Sequence, residues 1–179
     1  MLISHKREIV DVDRMFSFKQ GKLAIYWNGY PYIPGYLAGE QSIHYLGAEF
    51  EIAGVVPFAK LRGAFSIIIA TEQRIIAFAD NSDFHTFFVS EQGVSDRFLP
   101  LTKFLSSTSD LLLSTEAVAQ TFAVGRILSG KTIIESVRML DKNEYVEIGD
   151  AGIRVREKGL PDIDVQVTEF DPDRFFDSV

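Results

Sequence analysis

Residues 55–79 read V-V-P-F-A-K-L-R-G-A-F-S-I-I-I-A-T-E-Q-R-I-I-A-F-A, and this stretch decides the fold. Two apolar runs, residues 64–70 and 74–79, flank the polar Thr71-Glu72-Gln73. Runs that are apolar at successive positions, rather than at every second one, predict strands buried on both faces. The short polar link between them predicts a hairpin.

Upstream, residues 22–27 (KLAIYW) are β-branched and aromatic and run into Asn28-Gly29, a pair that tolerates positive φ, which predicts a strand ending in a tight turn. Residues 30–39 (YPYIPGYLAG) carry too many prolines and glycines for regular structure and read as a loop with aromatic side chains. Ile43, Leu46, Phe50 and Ala53, then Val56, Ala59 and Leu61, fall at a roughly helical spacing broken at Gly54 and Pro57, predicting two short helices.

Downstream, residues 86–90 (TFFVS) predict a third strand, and residues 96–105 a helix limited by Pro100 and followed by a loop over 106–110. Ser114 is placed to cap a helix running through Ala117, Val118, Phe122 and Ala123 to a stop at Gly125. Short strands are expected at 132–134, 145–148 and 153–156, the last two joined by Gly149-Asp150-Ala151-Gly152. Residues 161–179 mix acidic and apolar residues without a clear period and read as a linker or partner-docking arm. No internal repeat is visible. Strands grouped into hairpins, with helices between them, predict an α+β layered fold on antiparallel sheet, one domain over residues 1–160.

The chain has 179 residues, 46% of them hydrophobic and 12% aromatic, enough apolar material for one well-packed domain. The net charge of -7 and the scatter of the 18 Lys and Arg residues leave no basic stripe for nucleic acid. The sequence contains no cysteine, which excludes disulfides, thiolate metal sites and a thiol nucleophile and fits a cytoplasmic protein. The first residues, MLISHKREIVDVDRMF, hold no stretch suited to a signal peptide, and no window approaches the roughly 20 apolar residues of a membrane span, so a soluble protein is expected.

Four stretches, in order, resemble the glutaminase domain of the asparagine synthetase family of class II glutamine amidotransferases. Residues 22–32 (KLAIYWNGYPY) resemble its strand ending in Asn-Gly-Glu-Ile-Tyr, and residues 55–70 its helix ending in a Leu-x-Gly-x-Phe step before a hairpin. Residues 77–89 (AFADNSDFHTFFV) resemble the hairpin and next strand, and residues 113–148 the helix, turn and strands before the synthetase domain. The resemblance implies an N-terminal-nucleophile-hydrolase-like αββα sandwich of two antiparallel sheets, here with a shortened N-terminus. Such enzymes use an N-terminal cysteine thiol, with its own α-amino group as base, to hydrolyse glutamine. Met1-Leu2 offers no nucleophile, and Ser4 would serve only after an unusual cleavage.

Carried over position by position, Asn28 and Gly29 match the family's oxyanion-hole pair, with the plain turn as the competing reading. Tyr30 stands where an acid that binds the glutamine ammonium is expected, and Ser42 falls on the second such acid when counted back from Gly63. The Arg-Gly-Pro-Asp motif that holds the substrate carboxylate is missing. The adenylating domain's Ser-Gly-Gly-x-Asp-Ser loop is also absent, so ATP and Mg²⁺ would belong to a partner domain. Within this family, β-lactam synthetases and lasso-peptide cyclases lack the cysteine and keep the domain as a scaffold. The resemblance therefore implies a non-catalytic, glutaminase-like scaffold or partner of an ATP-dependent, asparagine-synthetase-like amide-forming enzyme. Its partner would be an adenylating domain or subunit, with a homodimer also compatible. A stand-alone protein binding a small polar ligand near Asn28, Gly29, Tyr30 and Ser42 is the alternative.

Residues 125–132 read G-R-I-L-S-G-K-T and match the phosphate-loop pattern through Gly125, Gly130, Lys131 and Thr132. The pattern needs a strand before it and a helix after it, whereas a capped helix precedes it and a β-branched segment follows. A glycine-rich helix-to-strand turn is therefore preferred. His5, His44 and His85 are too scattered for a metal site, and Asp11-Val12-Asp13 and Asp171-Pro172-Asp173 lack the loop context of a calcium site. The aromatic set Tyr26, Trp27, Tyr30, Tyr32 and Tyr36 reads as core packing and loop anchoring, or as a contact surface.

Overall fold

The 64–79 hairpin forms, and the rest of the fold is arranged by what covers its two faces. The computed structural model describes residues 1–4, 9–10, 15–36, 38–82, 84–127 and 130–160. In chain order its elements begin with strands β1 (Leu2–Ser4), β2 (Ile9–Val10), β3 (Phe16–Gln20) and β4 (Leu23–Gly29), followed by helix α1 (Glu40–Ala53) and a 3₁₀ turn at Phe58–Lys60. The hairpin strands β5 (Phe65–Ala70) and β6 (Ile75–Ala79) come next, then β7 (Phe88–Val89), β8 (Gly93–Ser95), α2 (Phe98–Ser106) and α3 (Thr115–Val124). Strands β9 (Arg138–Met139), β10 (Glu144–Gly149) and β11 (Gly152–Glu157) close the series. One sheet runs β11-β10-β6-β5-β4-β3 and the other β2-β1-β8-β7-β9, and every strand pair is antiparallel.

Alternation along the central strands sends side chains into two separate cores. Ile25 and Trp27 of β4, Phe65, Ile67 and Ile69 of β5, and Ile76 and Phe78 of β6 pack under Ile43, Leu46 and Phe50 of α1. Their neighbours Ile68, Ile75, Ala77 and Ala79 face the second sheet, where Met1, Ile3, Phe87, Val89 and Val94 meet them. The far side of that second sheet is covered by Leu101 and Leu105 of α2, with Ile134 and Val137 beside them. The result is helix, sheet, sheet, helix: an α+β sandwich of two antiparallel sheets. Each fully buried Ile, Leu or Phe in these layers is worth about 1.5–3 kcal/mol, so the hairpin, which feeds two cores at once, dominates the packing.

Local signals explain the helix ends. Ser114 Oγ accepts the Ala117 N–H at 3.2 Å to start α3. Pro100 lies in the first turn of α2, where its missing N–H breaks no helical bond, so the proline opens the helix rather than limiting it. Among the described residues, no helix is long and apolar enough to cross a membrane.

Two further sequence expectations need correction. Asn28-Gly29 is not a turn: both residues belong to β4 and pair with Ser66 and Phe65. The turn lies at Gly21-Lys22, after β3, a strand too exposed and too polar to announce itself. Residues 132–134 are not a strand: only isolated bridges flank them, at Lys131 and Ile134, where the Thr132 hydroxyl, shared between the Val137 and Ile134 carbonyls, folds the chain back on itself. The regular pairing comes later, at β9. The tail assigned to residues 161–179 lies outside the described residues.

Candidate functional site

The end of β4 is welded to the start of β5 by two close backbone approaches. Gly29 (φ 85°) passes the Ala64 carbonyl and Gly63 (φ 100°) passes the Tyr30 carbonyl, so closely that a Cβ at either position would overlap that oxygen. The Tyr30 N–H then donates to the Ala64 carbonyl at 2.8 Å, and Tyr32 and Arg62 exchange two backbone bonds of 2.8 Å. Only glycine combines that φ with that proximity at low cost.

The register sets Asn28, Ser66 and Ala79 in one row across three strands. Residues directly opposite one another in antiparallel strands share a face. Asn28 and Ser66 therefore lie on the side that faces the second sheet, while Trp27 faces α1. Asn28 is exposed, and Ser66 is only 1% exposed. The Ser66 hydroxyl has no hydrogen-bond partner among the described residues. An orphaned buried hydroxyl costs about 1–3 kcal/mol, and a polar guest or water reaching it would recover part of that. Sequence reasoning passed over Ser66, although a lone serine inside FSIIIA, a strand apolar on both faces, was the signal.

Asp80 braces the same end of the sheet. It is 1% exposed, yet its carboxylate accepts the Phe65 N–H at 3.2 Å and the His85 N–H at 3.0 Å on one oxygen. The other oxygen accepts the Ser82 N–H at 2.8 Å, the Ser82 hydroxyl at 2.6 Å and the Phe84 N–H at 3.4 Å. Burial pushes the Asp80 carboxyl up, but the bonds from Ser82, Phe65 and His85 outweigh it and hold the group below its ordinary value. The chain after β6 is thus tied to the first residue of β5, next to Gly29.

The four residues inferred for the pocket divide. Asn28 is exposed on the side that faces the second sheet, Gly29 ends β4, and Tyr30 follows at 77% exposure. Ser42 lies in α1, fully buried, where its hydroxyl accepts the Ile33 N–H at 3.1 Å within the helix-to-sheet core. It holds the backbone at Ile33 against α1 rather than facing the Asn28 row. On the neighbouring sheet, Met1 is buried, its amino group bonds Asp96 at 2.7 Å, and the Ser95 hydroxyl donates to the Met1 carbonyl.

The phosphate-loop residues do not assemble a cradle. Gly125 ends α3, and the Gly130 carbonyl accepts the Met139 N–H at 2.7 Å. Lys131 is ion-paired to Glu116, and the buried Thr132 hydroxyl is spent on backbone carbonyls. A helix precedes the segment and strand β9 is the next element, the reverse of what phosphate binding requires; Leu128 and Ser129 lie outside the described residues. Among the described residues, no group of three or more His, Asp or Glu is poised to hold a metal ion. His44 packs on Phe18 with ring centroids 4.3 Å apart, while His5 and the two Asp-x-Asp stretches are outside the described residues.

No protein-family model and no curated protein matches the sequence. Among solved structures, the chain is similar to the glutamine phosphoribosylpyrophosphate amidotransferase from B. subtilis complexed with ADP and GMP, at TM-score 0.41 and 12% identity over 79% of this chain and 31% of that one. It is similar to the same degree to the allosteric regulatory enzyme of purine biosynthesis, at TM-score 0.41 and 12% identity, covering 79% of this chain and 30% of that one. The chain thus spans about a third of the length of either structure, and a likeness this distant does not bear on chemistry.

Proposed function

We propose that this chain is a non-catalytic, glutaminase-like domain that serves as scaffold or subunit for an ATP-dependent amide-forming enzyme of the asparagine synthetase type. The carrying observation is a retained frame around a missing reagent. Asn28 faces the inter-sheet layer at the end of β4, and Gly29 beside it is locked against Ala64, in a chain that has no cysteine to act there. The order of the four resembling stretches supports the family. A scaffold also needs a surface to offer, and α3 supplies one: only Ala117 of the helix is buried. Leu112, Leu113, Phe122 and Val124, all exposed, run from just before the helix to its end. We assign this exposed apolar set to the contact with the partner. ATP and Mg²⁺ would be held by the adenylating partner in the cytoplasm, since Lys131 and Thr132 are occupied internally.

The test is ATP–pyrophosphate exchange by the assembly purified from its source. Exchange should be found in the fraction containing this chain and be lost when Phe122→Ser releases the partner. Exchange that persists unchanged in a fraction free of this chain would contradict the proposal.

A second reading is favoured by one observation, the orphaned Ser66 hydroxyl beside the exposed Asn28 amide. A small polar ligand there would raise the melting temperature, by about 2.7 kcal/mol of stabilisation at a hundred times its Kd. A thermal-shift series with amino acids, amides and small carboxylates tests it, and a shift that survives Asn28→Ala would place the ligand elsewhere.

A further inference from the structure

Among the described residues, α1 covers the helix-side face of the six-stranded sheet over β4, β5 and β6, while Arg154 and Arg156 stand exposed on that face of β11. Ile76, Glu147 and Arg154 form one row across three strands, and Tyr145 and Arg156 belong to the next. Arg74, just before β6, donates to Glu147 at 3.2 Å and also to the Gly54 carbonyl at the end of α1. Arg156 donates to Glu147 at 2.6 Å. Arg154, directly opposite Glu147, makes no hydrogen bond or ion pair among the described residues.

Three guanidiniums thus share one carboxylate. Burial pushes the Glu147 carboxyl up, but the bonds and charges of Arg156 and Arg74 outweigh it and hold the group below its ordinary value. Glu147 therefore stays ionised, and three arginines against one glutamate leave a surplus of two positive charges in a chain whose net charge is -7. Gly149, two residues beyond Glu147 on the same strand face, adds no side chain, and nothing lies within 4 Å of where its Cβ would be. The approach to the arginines is open on that side. Next to them lies a cleft of about 220 Å³ that Arg74 borders and that Val55, Phe58, Ile76 and Tyr145 line. The Phe58 and Tyr145 rings meet with centroids 5.0 Å apart, and the Tyr145 hydroxyl has no hydrogen-bond partner among the described residues. Glu157 and Lys158 also border the cleft and balance in charge.

We infer that this face binds a small carboxylic acid built on a single aromatic or branched apolar body, with the carboxylate on Arg74 and Arg154 and the body in the cleft. A planar guanidinium pairs with a carboxylate through two parallel N–H bonds, and Arg154 has all its donors available for that. Glu147 and Glu157 nearby favour a single negative charge over a phosphate dianion. The cleft lies below the size range of sites for larger ligands, so it takes one ring and excludes a nucleotide. The Tyr145 hydroxyl offers a further polar contact. The inference is independent of the scaffold reading and of a ligand beside Ser66, since the Asn28 and Ser66 row faces the second sheet.

Phenylacetate titrated into the full chain and followed by NMR tests it. Saturable shifts are expected at the Tyr145, Gly149 and Arg154 amides, with a Kd of about 1 mM or tighter. Acetate, which lacks the ring, and phenylacetamide, which lacks the charge, should each bind at least about tenfold more weakly. Arg154→Gln, at an exposed position, should weaken phenylacetate about tenfold, and Tyr145→Phe, which keeps the ring against Phe58, about threefold. Failure to saturate, equal binding of phenylacetamide, an affinity indifferent to Arg154→Gln, or shifts centred on Asn28 and Ser66 instead would overturn the inference.

Discussion

Gly29→Ala offers the sharpest physical prediction. The substitution puts a Cβ on a residue at φ 85°, directly against the Ala64 carbonyl that accepts the Tyr30 N–H. The left-handed conformation costs a non-glycine residue about 1–2 kcal/mol. Relieving the overlap shifts the backbone at about 1–3 kcal/mol, and weakening the Tyr30 bond adds about 0.5–1.5 kcal/mol. The sum, about 3–5 kcal/mol with partial overlap between terms, lowers the melting temperature of a chain this size by roughly 6–20 °C. Gly21→Ala is the internal control: its φ is 54° but nothing lies within 4 Å of the added carbon, so only the conformational cost applies. Thermal melts of the two variants side by side isolate the close approach. Equal losses would refute the reasoning, since they would mean that the β4–β5 junction yields at no cost.

Other variants report on neighbouring residues. Ser66→Ala removes an orphaned hydroxyl and should leave stability unchanged or raise it by up to about 1 kcal/mol by chemical denaturation, and a clear loss would reveal a partner for that group. Asp80→Asn should cost about 2–4 kcal/mol, because an amide nitrogen cannot accept the N–H groups that one carboxylate oxygen now satisfies. The Asp80 carboxyl is depressed in the folded state, so its contribution is present above the unfolded value of about 3.9 and is lost as pH falls through the lower folded value. Denaturation from pH 7 down to pH 3 should accordingly show a shallower acid loss in Asp80→Asn. Lys131→Ala should leave the response to ATP in a thermal-shift assay unchanged, and an ATP-dependent shift that disappears with the lysine would restore the phosphate-loop reading.

The parts of the fold legible in the sequence are those where many residues share one requirement. Residues 64–79 are apolar on both strand faces because two cores meet there, so hairpin and double burial could be read together. Ser114 announced α3 through a single capping bond. Strands β1, β8 and β9 are two or three residues long, too short to show a period, and are held by their sheet neighbours. Asn28-Gly29 misled because local propensity favours a turn, while the approach of Gly29 to Ala64, which needs glycine for another reason, keeps both in the strand. Counting back from Gly63 brought Ser42 into the pocket by alignment, yet which face of α1 it occupies depends on the loop carrying Ile33. The role of Asp80 likewise depends on how Ser82, Phe84 and His85 bond to it, which no local pattern encodes.

The most direct test of the central proposal is the native mass of the protein as isolated with whatever co-elutes. The scaffold account predicts this sequence either within a longer chain or bound tightly to an adenylating subunit. A free species of 20.1 kDa with no partner, from a source in which amide synthesis of this type is active, would contradict it.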